Sequence, residues 1–203
     1  MKKRITIPFF IPHEGCPHQC IFCNQKRIAG KTAPITTDEI RKQVILHRST
    51  IPSGTIVEAG FFGGSFTALP HARQEELLRE AARCRDDGLI DNIRLSTRPD
   101  CIDDEQISLL LHYGVSTVEL GAQSFDDEIL SRSKRGHRSN DIVLATQKLR
   151  ESNIQVILQL MIGLPGENSE TVRKSAETAL SLRPSGVRLY PVIVIADTEL
   201  EAL

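Results

Sequence analysis

Residues 155–195 read QVILQLMIGLPGENSETVRKSAETALSLRPSGVRLYPVIVI. Gln155–Ile162 is an apolar run of strand length, closed by Gly163. Ser169–Leu182 carries apolar residues at helical spacing and must end before Pro184, because the residue before proline is pushed out of the helical region. Gly186–Ile195 is a second apolar, β-branched run. Strand, helix, strand within about 40 residues predicts a βαβ unit with two parallel strands. A right-handed crossover between them is expected.

The same alternation extends back through the chain. Arg4–Ile11, Ile56–Phe62, Asn92–Ser96 and Ser116–Leu120 read as strands. Thr36–His47, His71–Cys84, Asp103–Tyr113, Asp126–Ser131 and Asn140–Ser152 read as helices. Thr36 with Glu39 makes a capping-box pattern, as Thr198 with Glu201 does near the end. Six strand–helix units of roughly 30 residues, the last without its helix, predict a parallel sheet. Eight such units close a barrel in about 250 residues. Six in 203 residues suit an open doubly wound sheet or a partial barrel. A helix-like pattern cut short at Leu203 is read as the mark of a chain truncated at its C-terminus, so that residues 1–203 are expected to form one core domain of a longer protein.

Composition narrows the class. Hydrophobic residues make up 40% and charged residues 25%, with a formal net charge of −1. This is ordinary for a globular domain and offers no broad electrostatic reason for a nucleic-acid partner. Lys2, Lys3 and Arg4 are too short a cluster for a basic arm. No apolar stretch approaches the roughly 20 residues that span a membrane. Pro8 and Pro12 interrupt the N-terminal apolar run and no cleavage pattern follows, which argues against a signal peptide. A cytoplasmic location is expected.

Three of the five cysteines fall in Gly15-Cys16-Pro17-His18-Gln19-Cys20-Ile21-Phe22-Cys23-Asn24. An odd cysteine count with such clustering points to metal rather than disulfides. Thiolates at Cys-x3-Cys-x2-Cys spacing can surround one iron–sulfur cluster, and three ligands leave one iron of a four-iron cluster open. The alternatives are a structural zinc held by Cys16, Cys20, Cys23 and His13 or His18, and a reactive thiol pair. Cys84 and Cys101 are isolated. Further unusual segments, Gly63-Gly64, Arg98, Gln123 and Gly163, each follow a predicted strand. In parallel α/β folds the C-terminal edge of the sheet is where active sites are built.

The cysteine motif, with Phe22 before its last cysteine, resembles the signature of the radical S-adenosylmethionine (SAM) enzymes. Phe61-Phe62-Gly63-Gly64-Ser65-Phe66-Thr67, Thr97-Arg98-Pro99-Asp100, Val118-Glu119-Leu120-Gly121-Ala122-Gln123-Ser124 with Lys134-Arg135-Gly136-His137, and Gly163-Leu164-Pro165-Gly166 resemble segments of its Elongator subunit 3-like (Elp3-like) branch. The likeness runs from about Ile7 to Asp197, without the acetyltransferase domain of that branch. It implies a partial (β/α)6 TIM-type barrel, a [4Fe-4S] cluster on Cys16, Cys20 and Cys23, and SAM chelated at the open iron. Reductive cleavage of SAM to a 5′-deoxyadenosyl radical, fed by an external donor such as flavodoxin or ferredoxin, is the implied activity. By the same resemblance Gly63, Gly64 and Ser65 bind the SAM amino group, Gln123 and Gln159 approach the ribose, and Arg135 the carboxylate. Ser96 stands where the branch has a glutamate, so no role is carried to it. Gln159 replaces the aspartate of the coproporphyrinogen oxidases. Met161 is expected in the core, and His137 is expected to be structural rather than a proton donor. Rival readings are a tRNA-modifying enzyme, a tetrapyrrole enzyme and a non-catalytic metal-binding module.

Overall fold

The computed structural model describes residues 3–11, 16–24, 27 and 33–203. Six parallel strands pair in the order of the chain: β1 (Arg4–Ile11), β2 (Ile56–Gly63), β3 (Asn92–Thr97), β4 (Val115–Gln123), β5 (Gln155–Ile162) and β6 (Gly186–Pro191). The order never reverses, so there is no switch point of the doubly wound kind. The sheet curls instead into a partial (β/α)6 barrel. Between the strands lie α1 (Thr37–Arg48), α2 (His71–Asp86), α3 (Asp104–His112), α4 (Asp127–Arg132), α5 (Ser139–Glu151) and α6 (Ser169–Ser181).

Local chemistry sets the helix starts. Thr36 Oγ1 accepts from the Glu39 amide at 3.2 Å, while the Glu39 carboxylate accepts from the Thr36 amide at 2.8 Å. Asp103 and Asp126 accept first-turn amides at the starts of α3 and α4, and Asn168 with Thr171 forms a second reciprocal box at α6. Alternation along the strands then sorts the two faces of the sheet. Ile7, Phe9, Val57, Phe61, Ile93, Leu95, Val118, Leu120, Val156 and Leu158 point to one face. They pack under Ile40, Val44, Leu77, Leu78, Leu110, Ile142 and Leu149 of the helices.

The opposite face carries a charge lattice with one member from every strand. Glu58 of β2 accepts from Arg4 of β1 at 3.1 Å and from Arg94 of β3 at 3.1 Å. Arg94 also pairs with Glu119 of β4. Glu119 accepts from Gln159 of β5 at 2.7 Å and pairs with Arg188 of β6 at 3.1 Å. The trace of this lattice in the sequence is a charged or amide residue amid the apolar run of each strand.

Two expected elements differ. The sixth strand ends at Pro191 rather than Ile195. Among the described strands it pairs with β5, which stops at Ile162; the Val192 amide still donates to the Ile162 carbonyl at 2.8 Å, and Gly163 with φ +96° then turns the β5 chain away. The helix expected after Thr198 is a short 3-10 turn, Glu199–Ala202, capped by Thr198 as its pattern implied. Met161, expected in the core, is half-buried. No helix among the described residues is long and apolar enough to cross a membrane.

Replacing Arg94 by Met should take from the fully buried Glu58 and Glu119 carboxylates the buried cation they share, leaving only the more exposed Arg4 and Arg188 to neutralise them. Urea unfolding is expected to show a loss of about 3–5 kcal/mol, the cost of breaking a buried ion pair from one side. A loss below about 1 kcal/mol, the surface-pair range, would mean that the lattice is solvated.

Candidate cofactor-binding site

Parallel pairing throughout brings the C-terminal ends of the strands to one edge, and a cleft of about 660 Å³ opens there. That volume suits a small-molecule cofactor. Cys16, Cys20 and Cys23 line it, as do Gly63 and Gly64 after β2, Gln123 at the end of β4, Arg135, and Gln159 of β5. Ser65 is not among the lining residues. It is 1% exposed, and its hydroxyl sits 3.0 Å from Thr97 Oγ1 and accepts from the Arg98 amide at 3.2 Å. It ties the loop after β2 to the end of β3, with Thr67 Oγ1 joining at 2.6 Å from Thr97.

Backbone demands explain several of these positions. Gly63 has φ +109°, and a Cβ there would stand 2.8 Å from the Ile11 carbonyl oxygen. The Gly64 amide donates to that same oxygen at 2.9 Å. Gln123 also has positive φ, +68°, beside a register irregularity between Leu120 and Gln123. Such bulges re-aim side chains next to functional sites. Gly121 matters through what it lacks: a Cβ would come within 3.0 Å of Gln123 Nε2 and 3.3 Å of Arg135 Nη2. A glycine inside a strand signals close approach, but the sequence reading assigned it no role.

The cysteine loop is fastened from two sides. Ile21 donates its amide to Ser133 O at 3.3 Å and accepts from the Leu200 amide at 2.9 Å. Asn24 Nδ2 donates to Ala196 O at 3.3 Å. His18 lies over Gly136, whose added Cβ would fall 2.3 Å from the imidazole. Cys20 is buried, Cys23 half-buried and Cys16 exposed, and none of the three is in a disulfide. Burial pushes the Cys84 thiol up to about 11 and raises that of Cys101, so both stay protonated at neutral pH.

Among the described residues, no three of His, Cys, Asp or Glu converge as a site for a single ion. His13, one candidate fourth zinc ligand, lies outside the described residues, as does Gly15 of the motif.

Arg135 is buried rather than a solvated neighbour of Lys134. Its Nη1 donates to Cys20 Sγ at 3.1 Å and its Nη2 to Gly121 O at 2.6 Å. Its buried Nε has no protein partner among the described residues. That orphaned donor, on a guanidinium facing the cleft, fits an anionic group such as a carboxylate. Arg98 forms an ion pair with Asp100 at 2.9 Å. His137 is structural as expected, its Nε2 lying 3.3 Å from Ala122 O. Burial, then the Arg135 and Arg98 charges, push its imidazole down to about 4, opposed by Asp100.

Two outcomes follow from this geometry. Gly136, at φ +76°, should not tolerate Ala: the backbone strain alone costs about 1–3 kcal/mol, and the methyl displaces His18. A lower melting temperature and faster proteolysis within the cysteine loop would register this; an unchanged loop would refute it. His137 is neutral when folded but has its ordinary affinity for protons when unfolded. Its contribution to stability is therefore complete above about pH 6.5 and is lost as acidification runs toward pH 4. His137→Gln is expected to flatten the urea-derived stability profile in that window, and an unaltered slope would assign the acid sensitivity elsewhere.

Comparison with known proteins places the chain. A family model described as the radical SAM superfamily matches residues 10–179. A tRNA uridine(34) acetyltransferase of Methanocaldococcus infernus is 34% identical over 169 residues, covering 81% of this chain and 31% of that protein. The heme chaperone HemW of Bacillus subtilis is 26% identical over 200 residues, covering 96% of this chain and 51% of that protein. The structure of the archaeal Methanocaldococcus infernus Elp3 with an N-terminal deletion superposes with a TM-score of 0.77 at 24% identity, covering 100% of this chain and 49% of that one. The chain thus spans about a third to a half of the relatives it matches. With the cysteine loop, the cleft and the partial barrel in place, the chain belongs to the radical SAM superfamily.

Proposed function

We propose that residues 1–203 form a radical SAM core domain of the Elp3-like kind, an enzyme that holds a [4Fe-4S] cluster on Cys16, Cys20 and Cys23 and binds SAM beside it. The observation that carries this reading is the convergence on one cleft of three cysteine thiols, the Gly63-Gly64 turn, Gln123, Gln159 and a buried guanidinium. When bound, the cluster would supply the electron that cleaves SAM to methionine and a hydrogen-abstracting 5′-deoxyadenosyl radical.

The chain's own residues bind and orient. Gly63 and Gly64 let backbone approach the methionine amino group, and Ser65 supports them from behind through Thr97. Arg135 offers its unpartnered Nε to the carboxylate. Gln159 gives its amide hydrogen to Glu119, which leaves its carbonyl oxygen to accept from a ribose hydroxyl. Gln123, held at positive φ, presents its side chain from the neighbouring strand β4. An external one-electron donor such as flavodoxin or ferredoxin completes the reading. The relatives named for tRNA acetylation make tRNA the first macromolecular substrate to test, and the likeness to a heme chaperone makes a tetrapyrrole the second.

Anaerobic reconstitution with iron and sulfide, then dithionite and SAM, tests the proposal. About four irons per chain and release of 5′-deoxyadenosine are expected, with iron lost in Cys20→Ala. Zinc in place of iron after anaerobic purification, or unchanged iron in Cys20→Ala, would overturn it. Cluster without any SAM cleavage would favour the non-catalytic module. Arg135→Ala should weaken SAM binding by about tenfold or more, in line with the loss of a charge-assisted bond; equal affinity would remove Arg135 from the SAM site.

A further inference from the structure

The cations around the cysteine loop differ in what neutralises them. Arg98 is paired with Asp100 at 2.9 Å, and Lys134 with Glu199 at 2.6 Å. Arg135, 7% exposed, pairs with no carboxylate among the described residues. Its side-chain partners there are the Gly121 carbonyl and the sulfur of Cys20, itself 7% exposed. A buried guanidinium without a counter-anion is costly, so its environment favours negative charge on whatever it touches. What it touches is a cysteine sulfur. The contact is also built rather than incidental. Gly121 makes room for the guanidinium and accepts from it, and the Arg135 carbonyl accepts in turn from Arg98 Nη2.

We propose that Arg135 is a redox-tuning residue, whose Nη1–H···Sγ bond to Cys20 raises the reduction potential of the cluster that Cys20 helps to hold. This rests on the reading of the loop as a cluster site. Reduction adds one negative charge to the cluster and its thiolates. A hydrogen bond to a ligating sulfur and an adjacent positive charge both stabilise the state with more negative charge, and hydrogen bonds to sulfur are among the levers that set cluster potentials. Of the three cysteines Cys20 is the most buried, so this interaction is screened least by solvent. The tuning is present before SAM arrives, which separates it from any role in carboxylate binding.

The test is a redox titration of reconstituted protein without SAM, followed by electron paramagnetic resonance of the reduced cluster. In Arg135→Met, with iron content at the wild-type level, the reduced-to-oxidised ratio at a fixed ambient potential should fall about tenfold, a midpoint about 59 mV more negative for a one-electron couple. Arg135→Lys, which keeps the charge, should recover part of the shift. A full-iron Arg135→Met with a ratio within about twofold of wild type overturns the proposal. Loss of iron from a variant that keeps its melting temperature also overturns it, in favour of a clamp that merely holds Cys20. If Arg135→Met does not fold, Arg135→Gln is read by the same criteria, with a shift expected between those of Lys and Met. A wild-type chain that takes up no four-iron cluster refutes the underlying reading instead.

Discussion

Parallel pairing of every neighbouring strand is the constraint on which the molecule depends. It sends all the C-terminal strand ends to one edge, so loops scattered over more than a hundred residues meet there. Cys16–Cys23, the turn at Gly63-Gly64, Gln123 and Gln159 are far apart in the chain and share one cleft for this reason alone. Parallel strands need crossovers, and the crossover helices cover one face of the sheet with an apolar core. The other face is left to a charge lattice that takes one member from each strand, with Glu119 of β4 holding both Gln159 of β5 and Arg188 of β6.

That lattice and the cleft are continuous. Glu119 closes the ion pairs from β3 and β6 and also takes the Gln159 amide hydrogen, so the orientation of a cleft residue is fixed by charges deeper in the fold. At the rim the balance of charge changes. Arg94 is matched on two sides by carboxylates, whereas Arg135 faces a thiol and a carbonyl. Arg135 is thus a buried cation with no carboxylate beside it among the described residues. His137 remains uncharged because burial, and then the neighbouring Arg135 and Arg98 charges, oppose its protonation.

Much of the site was legible because its residues break local rules. Three cysteines in eight positions, a glycine pair after a strand and a lone glutamine before Ser124 are poor choices for a plain loop. Ser65 shows the limit of such reading. A hydroxyl residue at that place resembles a cofactor contact in sequence, but its orientation depends on Thr97, more than thirty residues away, which takes the hydroxyl inward. Gly121 was hidden for the opposite reason: its importance lies in the space it leaves for Arg135 and Gln123.

By itself the sequence determined the elements and the chemistry on offer. Periodicity located the strands and helices within a few residues, because alternation and capping are local properties. The thiol spacing defined a compact cysteine loop, because eight residues keep three cysteines together whatever the rest of the chain does. The tertiary structure decided what non-local contacts decide. It chose a curled sheet in sequential order over a doubly wound one, ended β6 where β5 ceased to offer partners, and assembled the charge lattice from single residues on six strands. It also turned Arg135 from a surface-like neighbour of Lys134 into a buried donor to Cys20, since only folding brings residues 115 positions apart within a hydrogen bond of each other.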